Sequence, residues 1–383
     1  MKLQLRCESL ATGGKAVARH EGRVVFVDGA APSETVLAEV VVDKGRFLEA
    51  RVLEILEPSA DRVQPRCRHF GDCGGCSWQY LSYSAQLSAK KSMLEDAFRR
   101  LGKLGSWPAI QVVSGEPWGF RNRAQFQPPE REGAWGFFAA GSRRAVALQE
   151  CPILADELQG AWDVLASRRS DPWADRRQRT VFAWGAQGRR WFRGPGDPPG
   201  DPAEAVVGSR KLKFAVDGFF QSNLALVPRM VELATGGAQG TEAWDLYAGV
   251  GLFASHLEDR FLTVHAVEND PLAARWAPGN LAKAVYHDQP VEQWLLSRLE
   301  AGRIGPDLAV VDPPRQGLTG IALERLVACK PKVLRYVSCG HDTLARDLKA
   351  LVGSGYRMDD VFLLDLYPHT PHLEVVVHLS ASL

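Results

Sequence analysis

No apolar run in this chain of 383 residues approaches the roughly 20 residues that a membrane-crossing helix needs. The N-terminus, Met1-Lys2-Leu3-Gln4-Leu5-Arg6-Cys7, also lacks the apolar core of an export signal. On those two absences the protein is expected in the cytoplasm, with no membrane partner. Cysteine is scarce, at 7 residues. In a reducing compartment such cysteines are metal ligands, nucleophiles or core fillers rather than disulfides. Net charge is almost absent too, at +1. A complete G-x-G-x-x-G is missing, so no dinucleotide site follows from glycine spacing alone.

The near-zero charge hides an asymmetry. Residues 1–215 hold 32 Lys and Arg against 25 Asp and Glu, a net of +7, whereas residues 216–383 hold 14 against 20, a net of −6. A basic half suits an anionic partner, and the acidic half another task. The length suggests more than one core. Residues 1–58 carry short strands, at 22–29, 35–42 and 47–56, and predict a small β-barrel of the OB type. Residues 59–215 form a central α+β domain, and 216–383 alternate strand and helix in the manner of a Rossmann-like α/β domain.

Within the central stretch, Cys67, Cys73 and Cys76 fall inside ten residues, with glycines between them. Glycine lets backbone wrap closely around a centre, and clustered thiols in a reducing compartment are usually held by a metal. Cys151, followed by Pro152, is the candidate fourth ligand of an iron–sulfur cluster; zinc would accept the same four sulfurs. His69 is taken as a bystander. A helix is predicted from Ser84, as cap, to about 101–102, with Gly102 as stop. Leu87, Met93 or Leu94, Phe98 and Leu101 would form its apolar stripe, with Lys90, Lys91, Arg99 and Arg100 on a solvated face. Residues 119–126 alternate aromatic and basic side chains, which suits an unpaired nucleic-acid strand or an ordinary sheet edge. Residues 171–201 read as turns and a hairpin without an assigned role.

From 216 onward, each strand delivers a chemically useful group to its carboxyl end, where open parallel sheets bind ligands. Strand 243–247 ends at Tyr247 and runs into Ala248-Gly249-Val250-Gly251, where backbone can approach a ligand beside a helix start. Strand 262–267 ends at Glu268, about twenty residues past the glycines, the spacing at which an acid meets ribose hydroxyls. Strand 308–311 delivers Asp312-Pro313-Pro314-Arg315, and 333–337 delivers Cys339. Alone, a strand-end thiol is either small filler or a reactive group.

The combination resembles a known family. FFQSN at 219–223, DLYAGVG at 245–251, DPPRQG at 312–317, YVSCG at 336–340 and HTPHLE at 369–374 stand in the order found in RNA uracil-5-methyltransferases. The match runs nearly end to end. The resemblance implies an N-terminal TRAM domain at residues 1–58 and a 4Fe–4S cluster, in preference to zinc, on Cys67, Cys73, Cys76 and Cys151. It implies S-adenosyl-L-methionine as methyl donor and an RNA substrate, 23S rRNA ahead of tRNA. Cys339 would be the nucleophile that adds to uracil C6, and Glu374 the base that removes the C5 proton. Gln221, Tyr247, Glu268 and Asp312 would line the cofactor or target base, with Asp288 near the adenine. Two positions depart from the family: Gly340-His341 stands where Asn-Pro is usual, and Ala248 where cysteine is common. A monomer is expected. The competing classes are a non-catalytic iron–sulfur RNA-binding protein and a redox sensor built on the cluster.

Overall fold

The structure, a computed structural model, describes residues 1–128, 135–160, 179–184, 189–193 and 200–382. The chain divides into two compact units. The first comprises Met1–Glu95, Gln127–Pro152 and Tyr367–His372; the second comprises Asp96–Phe126, Ile153–Leu366 and Leu373–Leu383. The stretch 59–215 is therefore shared between both units.

In the first unit, five strands close into a barrel in the order Lys2–Leu10, Ala16–His20, Arg23–Asp28, Phe47–Glu57, Thr35–Asp43. The opening strand alternates from Lys2 to Cys7: Leu3, Leu5 and Cys7 point into the core while Lys2, Gln4 and Arg6 face out. That period of two is the mark of a half-buried strand, and it is legible in residues 2–7 although no strand was expected there. Behind the barrel, the Glu34 carboxylate is fully buried. It is satisfied by the Ala31 N–H at 2.7 Å and by the guanidinium of Arg62, as a buried charge requires.

The long helix spans Tyr83–Arg100, one residue from expectation at its start. Its cap is Ser82, whose Oγ accepts from the Ala85 N–H at 3.2 Å, so Ser84 is not the cap. Gly102 does sit at the stop, its N–H donating back to the Ala97 carbonyl at 3.0 Å. Two further assignments on this helix fail. Lys90 is not on a solvated face: it is fully buried, and its Nζ donates to the Tyr367 carbonyl at 2.9 Å. Leu101, expected in the apolar stripe, is exposed. The buried face runs through Gln86, Lys90, Met93 and Ala97, a 3–4 residue spacing that a lysine can join only when a carbonyl meets its ammonium.

The second unit is built on an eight-stranded sheet. Its order is Val285–Asp288, Phe261–Glu268, Gly240–Leu246, Leu308–Val311, Val333–Ser338, Glu374–Ala381, Tyr356–Leu364, Ile110–Val113. The first five strands are mutually parallel, and Glu374–Ala381 runs antiparallel between its two neighbours. Leu308, Ala309, Val310 and Val311 are all fully buried, the near-continuous apolar run expected of a strand covered on both faces. The chain moves from Gly240–Leu246 outward to one edge, then returns to start the other half at Leu308–Val311. A switch point of this kind opens a crevice at the carboxyl ends of the two central strands. Of residues 171–201, Arg179–Trp184 and Arg189–Arg193 pair as an antiparallel hairpin; 171–178, 185–188 and 194–199 lie outside the described residues. Among the described residues, no helix is long and apolar enough to cross a membrane.

Candidate active site

Because the central strands are parallel, their carboxyl ends share one edge. Tyr247, Glu268, Asp312 and Cys339 each lie at the end of a strand there. Asp288 ends the outermost strand and pairs in register with Glu268. Glu374 reaches the same edge from the opposite direction. It opens its antiparallel strand, and the next residue, Val375, pairs with Ser338 just before Cys339. Six groups scattered over more than a hundred residues of sequence are thus brought to one edge of the sheet by topology alone.

At the switch point, the turn after Gly240–Leu246 is tight. Tyr247 itself takes φ +62°, and Gly251 takes φ +87°, a region that favours glycine. A Cβ on Gly251 would also meet the Leu281 side chain at 2.8 Å. The Glu268 carboxylate ties the turn to the neighbouring strand, accepting from the Gly249 N–H at 3.0 Å and from the Asn269 and Asp270 N–H groups at 2.7 and 2.9 Å. Beneath the turn lies Asp245, fully buried. One oxygen accepts from the Ala254 N–H at 2.7 Å and the other has no partner. Burial pushes this carboxyl up to about 8, with Asp312 and Glu268 adding to the rise against the Ala254 bond. Sequence reasoning passed over Asp245, although it heads the 245–251 motif. Its signal was an acid inside an apolar strand.

Around Cys339 the charges are crowded. Burial pushes the thiol up to about 11; the neighbouring Glu374 and Asp312 carboxylates raise it further, and Arg315, which hydrogen-bonds the sulfur, opposes them. Glu374 is buried, and desolvation raises it well above an ordinary carboxyl, helped by Asp312 and opposed by Arg315. Asp312 rises to about 7 through burial and the charge of Glu268. These carboxyls cannot all ionise cheaply side by side, so the cluster holds protons at neutral pH.

The helix His341–Gly353 fixes this geometry. Thr343 Oγ1 donates to the carbonyls of Arg315 and Gly340, at 2.9 and 3.0 Å. The buried Asp347 accepts from the Tyr336 hydroxyl at 2.6 Å and the Leu318 N–H at 2.8 Å, and Arg346 donates to the Gln316 and Leu318 carbonyls at 2.9 Å. The 312–318 loop is thereby bound to the helix that follows the thiol. The Gly340-His341 departure has a local account. A Cβ at position 340 would stand 2.9 Å from the Arg315 carbonyl oxygen and 2.7 Å from Thr343 Oγ1. His341 then occupies the first helical position, where proline is otherwise favoured.

Gln221 is buried on the segment 219–223, anchored by the Asn122 N–H to the Ser222 carbonyl at 2.7 Å and by Asn223 Nδ2 to the Leu366 carbonyl at 3.2 Å. No hydrogen bond or ion pair links Gln221 itself to Cys339, Asp312 or Glu374 among the described residues.

The four cysteines of the quartet all lie in the first unit. Gly74 packs its N–H on the Phe138 carbonyl at 2.8 Å, Cys73 bridges to Ala139, and Arg68 pairs with Glu150 at 3.3 Å. The Cys67–Cys76 loop therefore lies beside the segment that carries Cys151. His69 Nε2 takes part in this docking, accepting from the Gln149 N–H at 3.3 Å. All four are free thiols, and among the described residues no group of three or more His, Cys, Asp or Glu is gathered closely enough to hold a metal ion. The donor chemistry suits a thiophilic centre; the side chains as placed do not close one.

The chain is similar in fold to the Pyrococcus abyssi tRNA (uracil-54, C5)-methyltransferase, solved in complex with S-adenosyl-L-homocysteine. The TM-score is 0.78 and the identity 23%, over 98% of this chain and 100% of that one. That likeness is one of fold, and it matches the α/β sheet and switch-point crevice of the second unit. The tRNA (Uracil-5-)-methyltransferase family profile matches residues 205–382. The 23S rRNA (uracil(1939)-C(5))-methyltransferase RlmD of Halomonas elongata is 32% identical across 98% of this chain and 89% of its own length. An uncharacterized RNA methyltransferase of Bdellovibrio bacteriovorus is 31% identical across 100% and 95%. The chain belongs to the RNA uracil-5-methyltransferase family.

Proposed function

We propose that this protein transfers the methyl group of S-adenosyl-L-methionine to C5 of a uridine in 23S rRNA. The observation that carries this reading is the convergence of Cys339, Glu374 and Asp312 at one buried edge of the sheet. The substrate is taken from the RlmD relatives, which match nearly the whole chain.

Uracil C5 is a poor nucleophile. The Cys339 sulfur adds to C6, forming a C–S bond and pushing electron density onto C5, which takes the methyl group from the donor sulfonium. Glu374, as carboxylate, removes the C5 proton; the electrons of that C–H bond restore the C5–C6 double bond and expel the thiolate. Both groups are held toward their protonated forms by burial, so each must ionise for the reaction to proceed. A sulfonium beside Asp312 would favour that ionisation, because a nearby positive charge stabilises carboxylate and thiolate forms. Glu268 is suited to the ribose hydroxyls and Tyr247 to the cofactor turn, with Gln221 and Asp312 toward the methyl donor. The uridine must be unpaired or flipped, because C6 is hidden in a stacked base.

The closed barrel is read as a TRAM domain that binds RNA, and Cys67, Cys73, Cys76 and Cys151 as ligands of a structural 4Fe–4S cluster that takes no part in methyl transfer. The spacing of the four thiols and the docking of their two segments support that reading. An absorbance spectrum of anaerobically purified protein separates iron–sulfur from zinc. For the reaction itself, the decisive experiment uses target RNA with 5-fluorouridine and the methyl donor. No C5 proton can leave, so a covalent complex through Cys339 should accumulate. Absence of an adduct with an RNA that the enzyme methylates would sink the mechanism.

A further inference from the structure

Within the first unit, a cavity of about 520 Å³ opens between the barrel corner at Asp28 and the cysteine loop, a volume in the range of small-molecule sites. Resting on the reading of RNA as substrate, we propose that this cavity holds one unpaired, amino-bearing base of that RNA, stacked on Phe70 and read by the Asp28 carboxylate.

Phe70 is half-buried and lines the cavity, its ring 6.1 Å from that of Tyr80. Tyr80 is held from behind: its hydroxyl donates to the Ala30 carbonyl at 3.0 Å, and the Arg62 guanidinium lies 4.8 Å over its ring. The result is a rigid aromatic wall, the kind of platform on which unpaired bases stack. The cations around it are already engaged. Arg62 bonds Glu34 and the Gly29 carbonyl, and Arg51 bonds Glu39 at 2.7 Å. The cavity therefore offers little to a phosphate. What remains is Asp28, exposed on the rim, whose carboxylate accepts no hydrogen bond among the described residues. A carboxylate suits the N–H-rich edge of adenine, cytosine or guanine. Uracil presents one N–H between two carbonyl oxygens and is disfavoured. Gly71, at φ +93°, has nothing within 4 Å of an added Cβ, so the ligand can reach backbone there. Cys73 and Cys76 touch the cavity but Cys67 and Cys151 do not line it, so it is not the space a four-cysteine centre would fill.

The test uses the full-length protein and a 23S rRNA fragment containing the target uridine. Filter binding is measured on a series with each flanking nucleotide made abasic in turn, and methylation of the same fragments is followed in parallel. One abasic position should weaken binding about tenfold, the scale of one lost stacking contact, and uridine at that position should also weaken it. Phe70→Leu and Asp28→Asn should each weaken binding to intact RNA several-fold and lose nothing further on that abasic RNA. A flat abasic scan, or variants that lose the same factor on intact and abasic RNA, overturns the pocket. Asp28→Asn changes only a rim group, so its result stands even if Phe70→Leu destabilises the loop. Intact methylation without pocket dependence refutes the pocket alone; pocket-dependent binding without methylation refutes the proposed reaction alone.

Discussion

At the scale of a residue, the thiol that gives the reaction its nucleophile is held in its least reactive form. Burial and two carboxyl neighbours put Cys339 at about 11, with Arg315 alone pulling the other way. Thiolate is the reactive species, so alkylation of Cys339 in the RNA-free protein should rise about tenfold per pH unit and approach its plateau only near pH 11. Arg315→Gln should slow the reaction at pH 9 by about three- to tenfold, because it removes the stabilising charge. Glu374→Gln should speed it by a similar factor through loss of a repelling one. Peptide mass spectrometry after timed iodoacetamide treatment measures both, separately from the other six cysteines. A plateau by pH 8 would show that the sulfur is not held as described. In turnover, Glu374→Gln should still form the C6 adduct but release it slowly. Release at the wild-type rate would assign the C5 proton to another group.

At the scale of an element, the helix His341–Gly353 is what makes two sequence motifs into one site. Thr343 is its closest staple, donating to carbonyls on both the 312–317 and 336–340 motifs. Thr343→Val should cost about 1 kcal/mol of stability, the net worth of an ordinary hydrogen bond. It should also lower kcat about tenfold with little change in the KM for the methyl donor, and Thr343→Ser should restore it. Loss in the Ser variant with none in the Val variant would mean that the methyl group, not the hydroxyl, matters. Gly340→Ala should reduce kcat further, because its new Cβ meets a carbonyl oxygen at 2.9 Å that cannot rotate away; activity near wild type would show that the loop yields. The strands that deliver Asp312 and Cys339 were legible because an apolar run of four to six residues ending in a polar break has few other readings. Thr343, Arg346 and Asp347 were not, since their partners lie up to 30 residues away. Lys90 shows the same limit more sharply. Its burial depends on a carbonyl 277 residues distant, and no local pattern announces such a partner.

At the scale of the molecule, the near-neutral total conceals an acidic second half, and the structure shows where part of that acidity is buried. Asp245, with no exposure, sits at about 8 where an unfolded aspartate titrates near 4. Between those values the folded protein binds a proton that the unfolded chain has released, so stability falls as pH rises. Asp312, at about 7, acts in the same direction over a narrower window. The slope attributable to Asp245 is at most about 1.4 kcal/mol per pH unit. Below pH 4 both states are protonated and the dependence on this group vanishes. Urea unfolding of the intact chain, followed by tryptophan emission, should resolve it. Trp244 and Trp294 report on the second unit and Trp78 on the first, and two units need not unfold together. The second-unit midpoint should drop between pH 5 and 8, and Asp245→Asn should flatten that drop while leaving the first-unit transition unmoved. A methyl donor carrying a sulfonium should steepen its own stabilising effect toward high pH, because its charge offsets the carboxylate that forms there. A second-unit midpoint insensitive to pH in the wild type, or equally sensitive in Asp245→Asn, would mean that the unpartnered oxygen beneath the glycine turn is already compensated, and that the crevice is not poised for a cation.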